Sequence, residues 1–310
     1  MYSLNIDTPQ YNHYNTVKSV SVPNVTNPIT AKSAPSFTAS KPQINQVPYN
    51  QALTSSRFRT ELVSNDEKAK YNEIVKIVDK DTRKQLNTLL KTGALLNADS
   101  NDNSTTLDNL YKIATTQRAQ GLDNVTILKD TINTICDPHI ITQQFGNIPT
   151  QYQAQAAALE ADKSSDINVE HSGTCVASSI EYNLADKHPA EFARFAEGLS
   201  SPNMAVQKSI KMNNLADNTL DAIWLLNAFE IPYEAKDFDK ANLTFAPDKN
   251  AIIRAHIQTV DRDKYERSSL DVLMQSTFMQ IGSQQSYDSL TDKRSGKFNQ
   301  NDKGLIEFEK

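Results

Sequence analysis

His171-Ser-Gly-Thr-Cys175-Val-Ala-Ser-Ser-Ile180-Glu-Tyr-Asn-Leu-Ala185 is a loop of small polar residues that runs straight into a helical pattern. Val176, Ala177, Ile180 and Leu184 recur at the spacing of one helical face, and Glu181, Asn183 and Asp186 take the other. Thr174 is a suitable N-cap, which puts Cys175 on the first turn. Unpaired backbone N–H groups and the helix dipole favour an anion there. Thiolates in proteins are stabilised at such positions. Gly173 lets a substrate carbonyl approach the backbone closely, and the Cys175 N–H is a candidate oxyanion donor. A lone Cys at a helix start also reads simply as a small buried hydrophobe.

Downstream, His188-Pro189 reads as an N-cap followed by Pro at the first helical position. Phe192, Phe195 and Ala196 form that helix's stripe, and Gly198 is its expected stop. A further helix is expected near Met204 to Lys211, and another from Asn218 or Thr219 with Trp224 as a core anchor, barred by Pro232. Ala251 to Val260 reads as the one long strand, with Ile253, Ala255 and Ile257 on one side and Arg254, His256 and Gln258 on the other. Ser268 or Ser269 starts a last strong helix, stopped by Gly282. The tail from Thr291 is polar, with a short strand expected at Leu305 to Phe308.

Upstream, residues 139–149 read as a short extended segment ending in a turn, followed by a helix at 151–161. Residues 58–137 carry four short amphipathic patterns, opened in turn near Asn65, before Leu86, at Ser104 or Thr105, and at Asp123. Gly93, Gly121 and Asp137-Pro138 are their stops. The run Asp99-Ser-Asn101-Asp-Asn103 is similar to a calcium loop but lacks its Gly and its final Glu, so it reads as a polar interhelical loop. Residues 1–57, interrupted by Pro9, Pro23, Pro28, Pro35, Pro42 and Pro48, read as a disordered arm rich in Pro, Asn, Ser and Thr. The expected fold is α+β and predominantly helical: the arm at 1–57, a helical bundle at 58–137 with a possible regulatory role, and a Cys-helix lobe with few strands at 138–310.

Composition narrows the partners. A net charge of −5 with Lys and Arg scattered argues against nucleic acid. Two cysteines make no disulfide framework, and neither a metal nor a cofactor is expected. Cys136 closes an apolar helical face and reads as core. No apolar run approaches membrane-spanning length, and the N-terminus lacks the pattern of a classical signal peptide. A cytoplasmic or non-classically secreted location is consistent with both.

Gly173-Thr-Cys175-Val-Ala-Ser-Ser-Ile180 resembles the nucleophile helix of papain-like cysteine peptidases, calpains included. Leu270 to Tyr287, ending in Gly282-Ser-Gln-Gln-Ser-Tyr287, resembles the calpain-type helix that ends in a Gly-Ser-Tyr segment. The resemblance implies a peptide or protein substrate, Cys175 as nucleophile, an imidazole base and a thioester intermediate. This chain departs from the family at Val169, where an oxyanion Gln is usual, and at Val176, where an aromatic is usual.

His188 lies about three and a half turns beyond Cys175, too far along the helix. His256 is therefore the candidate base, with Asp261 as its orienting carboxylate. Thr174 and His171 are candidate supporting groups, and His171 could also polarise the thiol locally. The second lobe is apparently incomplete, so another arrangement puts the base beyond Lys310. The alternative from a different class is a non-catalytic helical scaffold or interaction protein, or a pseudoenzyme. Its proline-interrupted arm would suit a secreted bacterial effector.

Overall fold

Ser64 opens the first helix by accepting a hydrogen bond from Glu67 N, while the Glu67 carboxylate returns to Ser64 N and Val63 N. This capping box satisfies backbone donors that have no intrahelical partner. The computed structural model describes residues 59–144, 173–210, 241–260, 262, 266–283, 285–294 and 305. All belong to one unit, Gln46–Lys310. The expected arm at 1–57, the helix at 151–161 and the Trp224 helix lie outside the described residues.

The first four helices are α1 (Asn65–Ile77), α2 (Lys80–Thr92), α3 (Thr106–Thr115) and α4 (Asn124–Cys136). Asp79, Thr105 and Asp123 cap α2, α3 and α4 through their side chains. Gly93 ends α2 in the left-handed region with φ 81°, as its spacing predicts. Asp137-Pro138 ends α4 and opens a short 3₁₀ turn, Pro138–Ile140. Two boundaries differ from expectation. The cap of α1 is Ser64, one residue before Asn65. Helix α3 stops at Thr115, well before Gly121, because the Thr116 backbone turns extended after its N–H bonds Lys112 O.

Cys175–Lys187 forms α5 and Pro189–Ser200 forms α6, joined by His188 alone. Nearly every side chain of α6 is buried, and the helix packs against α3, α4 and α5. Gly198 does not stop α6. It is small for another reason: a Cβ there would come within 2.6 Å of Val206 Cγ2, so glycine admits the following strand. That strand, β1 (Val206–Ile210), stands where a helix is expected near Met204 to Lys211. Met204 adopts φ 47°, which breaks right-handed helical geometry. The chain beyond it pairs antiparallel with β2 (Ala241–Phe245), Val206 opposite Phe245 and Ile210 opposite Ala241.

Ala251–Val260 is likewise a correction, a helix (α7) and not a strand. Its buried residues, Ala251, Arg254, Ala255, Ile257 and Gln258, recur at helical spacing. The apolar alternation at 253, 255 and 257 shares that window, so a short run satisfies both periods. Helix α7 packs on α8 (Ser269–Gly282), which begins with a capping box between Ser268 and Asp271 and is buried along almost its whole length. A two-residue hairpin, β3 (Tyr287–Asp288) and β4 (Lys293–Arg294), follows. The described residues are thus predominantly helical with short antiparallel strands, an α+β fold. No helix among them is long and apolar enough to cross a membrane.

One hydrophobic core runs from Ile74 and Leu86 through Leu110, Ile127 and Phe192 to Leu273 and Leu305, and so crosses residue 138 without a break. The Asp99–Asn103 segment is the polar interhelical loop that its sequence predicts. Asp99 accepts from Ala190 N, and Asn101 N donates to Glu191. Burial would raise the Glu191 pKa, but hydrogen bonds from Arg194, Lys208 and Asn101 N hold it down at about 2.

Two predictions arise from these contacts. Gly121 has φ +89°, and an added Cβ would lie 2.8 Å from His256 Nδ1. Gly121→Ala should therefore destabilise the chain by about 1–3 kcal/mol, seen as a lower urea midpoint. Asp130 is largely buried with its Oδ1 3.7 Å from Arg262, and burial raises its pKa to about 7. The unfolded carboxyl ionises first, so this group's contribution to stability falls as pH rises from about 4 to about 7. Asp130→Asn should leave stability unchanged below about pH 4 and raise it above pH 7 by up to about 4 kcal/mol, measured by urea unfolding across that range.

Candidate functional site

Cys175 is exposed and is the first residue of α5, as its sequence predicts. The loop before it is held from two sides. Gly173 N donates to Asp292 Oδ2 at 2.6 Å, and Tyr287 Oη donates to Asp292 Oδ1 at 2.9 Å. Thr174 is fully buried, and its hydroxyl donates to Gln275 Oε1 at 2.8 Å. Although Thr174 occupies the N-cap, its side chain makes no capping hydrogen bond to α5.

Gln275 controls that choice. Its Nε2 donates to the Thr142 carbonyl at 2.9 Å and to Glu181 Oε2 at 3.0 Å. A backbone carbonyl only accepts, so the nitrogen must lie on that side and Oε1 must face Thr174. The Thr174 hydroxyl is thereby turned toward α8. Ser178 N makes the first intrahelical bond, to Thr174 O at 2.8 Å, so the N–H groups of Cys175, Val176 and Ala177 precede it. An exposed cysteine therefore adjoins first-turn backbone N–H groups that the Thr174 side chain does not cap. This arrangement suits attack on a carbonyl whose oxygen becomes negative.

Beneath the helix start lies a buried acidic pair that sequence reasoning placed on the exposed face of α5. Glu181 is fully buried, whereas Ile180, assigned to the core face, is 40% exposed. The buried face of α5 is Ala177, Glu181 and Ala185, because α8 offers it a polar surface. Glu181 shares a hydrogen bond with the Asp271 carboxyl, and Arg267 lies close enough to act on both. Burial pushes Glu181 well above the usual carboxylate range and raises Asp271 as well. Asp271 and Gln275 stand four residues apart on one face of a largely buried helix, and that spacing was the available signal for this cluster.

The expected base is placed elsewhere in its local chemistry. His256 lies on α7 and meets the Gly121 carbonyl through Nδ1 at 2.7 Å. Since a carbonyl only accepts, Nδ1 carries the proton in that bond. His188 Nδ1 lies 3.6 Å from Asp99 Oδ2 at the junction of α5 and α6. The His139 ring packs against Tyr182 of α5, 5.3 Å between centroids. Among the described residues, no hydrogen bond or ion pair joins an imidazole to Cys175. His171 and Asp261 lie outside the described residues. No group of three or more His, Cys, Asp or Glu among the described residues is arranged to hold a metal ion.

The second thiol differs sharply from the first. Cys136 is half-buried at the end of α4, its S–H directed to Gln85 O at 3.4 Å, and burial pushes its pKa up to about 12. Iodoacetamide at pH 8 should therefore label the native chain once, at Cys175, with Cys136 modified only after unfolding. Peptide mapping by mass spectrometry checks this, and modification of both thiols at equal rates in the folded chain would contradict it. Comparison with protein-family models, with curated proteins and with solved structures finds no match to this chain.

Proposed function

We propose that this chain is a thiol-dependent acyl-transfer enzyme, a papain-like cysteine peptidase being the leading form, with Cys175 as nucleophile. One observation carries the reading: Cys175 is exposed on the first turn of α5, while the Thr174 hydroxyl that would cap that turn is committed to Gln275. The first-turn N–H groups, which the Thr174 side chain does not cap, would on this reading serve an oxyanion. In this reading the sulfur attacks a peptide carbonyl, and the carbonyl oxygen takes up the negative charge. The amine leaves with a proton delivered by the base, and water hydrolyses the resulting thioester. The base is an imidazole. His256 would act through Nε2, because Nδ1 is engaged by Gly121 O. His171, four residues before Cys175, is the alternative donor.

A second reading is favoured by one specific contact. The Nδ1 bond of His256 fastens α7 to the turn at Gly121, which is a structural task. That suits a helical scaffold or pseudoenzyme whose Cys175 carries no chemistry.

The two readings part on reactivity. In a Cys136→Ser background, iodoacetamide should alkylate Cys175 at pH 6.5 at least about tenfold faster than it alkylates a small free thiol. Either His171→Ala or His256→Ala should remove that advantage and so identify the base. A rate equal to the free thiol's, unaffected by either substitution, would favour the scaffold.

A further inference from the structure

Glu181 reaches the centre of the α5–α8 contact, and its two oxygens have different surroundings. Oε2 accepts from Gln275 Nε2 at 3.0 Å. Oε1 is fully buried, and no donor among the described residues reaches it. The neighbour that Glu181 does meet is the carboxyl of Asp271. Asp271 is itself engaged as an acceptor, taking Ser268 N at 2.9 Å in the capping box of α8. Two bare carboxylates in contact in a buried site repel each other, whereas one proton between them makes a short, charge-assisted hydrogen bond.

We propose that Glu181 is held as a neutral acid whose Oε1 hydrogen is donated to the Asp271 carboxylate, so that a single proton latches the Cys175 helix onto α8, and that raising the pH releases the latch. Glu181 is then a positioning residue. Its Oε2 holds Gln275, and Gln275 holds the Thr174 hydroxyl and the Thr142 carbonyl. Removing the proton puts a second negative charge at the α5–α8 contact and loosens the start of α5 first. The inference concerns the seating of α5 and does not rest on the acyl-transfer reading.

The charges facing the pair come from several elements. Arg267, just before α8, lies near both carboxyls and favours their ionised forms. Arg254 of α7 and Tyr287 of β3 also interact electrostatically with Arg267. Asp130 of α4, itself facing Arg262, lies near Asp271 and opposes further negative charge. On the outer side of α5, His139 packs against Tyr182. The Arg267 guanidinium balances one negative charge of the two carboxyls, which suits a pair that keeps one proton.

The sign follows from the direction of the shift. The unfolded Glu181 carboxyl ionises near pH 4.5, whereas the buried one keeps its proton to higher pH. The latch's contribution is complete below about pH 4.5 and declines as pH rises toward the buried value. Glutamine reproduces both bonds of the neutral acid, its NH₂ facing Asp271 and its oxygen facing Gln275.

The test compares urea unfolding of wild type and Glu181→Gln from pH 5 to 9. The ratio of their unfolding constants, wild type over variant, should rise about tenfold per pH unit until the pair deprotonates. Amide exchange at Cys175 to Ala177 should show the same divergence at lower free energy. In the wild-type chain, carbon-13 NMR of labelled Glu side chains should show one carboxyl that titrates well above the others, absent from the variant. A ratio independent of pH, a variant that cannot fold at pH 7, or a wild-type spectrum in which no Glu carboxyl titrates above the ordinary range would overturn the proposal. Because these readouts use no substrate, an unreactive Cys175 would sink the enzyme reading alone.

Discussion

The described structure depends most on the polar contact between α5 and α8. An apolar interface would let α5 rotate or slide, since hydrophobic burial has no direction. Gln275 forbids both, because its amide must match a carbonyl, a carboxyl and a hydroxyl at once. Each of these groups is costly to leave unbonded in a buried place. The position of Cys175 is therefore fixed by hydrogen-bond geometry more than by packing. Asp292 adds a second constraint by holding Gly173 from the hairpin that follows α8.

The remainder of the fold supplies a rigid frame for that contact. Helix α6 is buried on nearly all sides and contacts α3, α4, α5 and α8, so it transmits any shift of α5 into the common core. Its junction with α5 is a single residue, His188, followed by Pro189. The Ala190 N–H beyond that junction is bound by Asp99 from the loop before α3. The far end of α5 is thus tied to the first helices, while its start is tied to α8. A helix restrained at both ends holds its first residue more tightly than one restrained by its middle.

Much of this was legible where local chemistry decides. The starts of α3, α4, α6 and α8 follow from Thr105, Asp123, His188-Pro189 and Ser268, because a cap acts within a few residues of itself. Position 175 on a first turn was legible for the same reason. What was hidden depends on distant partners. Glu181 looks solvent-facing until α8 presents Asp271 and Gln275. Residues 251–260 fit a strand by alternation and a helix by their buried set, and only the face offered by α8 selects the helix. The strand after Met204 needs β2, more than thirty residues on, to supply its backbone partners.

The buried cluster also explains why an exposed cysteine can coexist with a well-ordered helix start. A side-chain cap would stabilise α5 locally but would cover the N–H groups beside the thiol. Here the stabilisation comes instead from behind, through Thr174 and Gln275 to the acidic pair, and the Thr174 side chain leaves the first-turn N–H groups uncovered. Order is obtained without occupying the face where chemistry could occur. Burying charge at such a place is unfavourable compared with an apolar contact. The cluster under the start of α5 therefore fixes one seating of that helix, at a cost in stability relative to apolar packing.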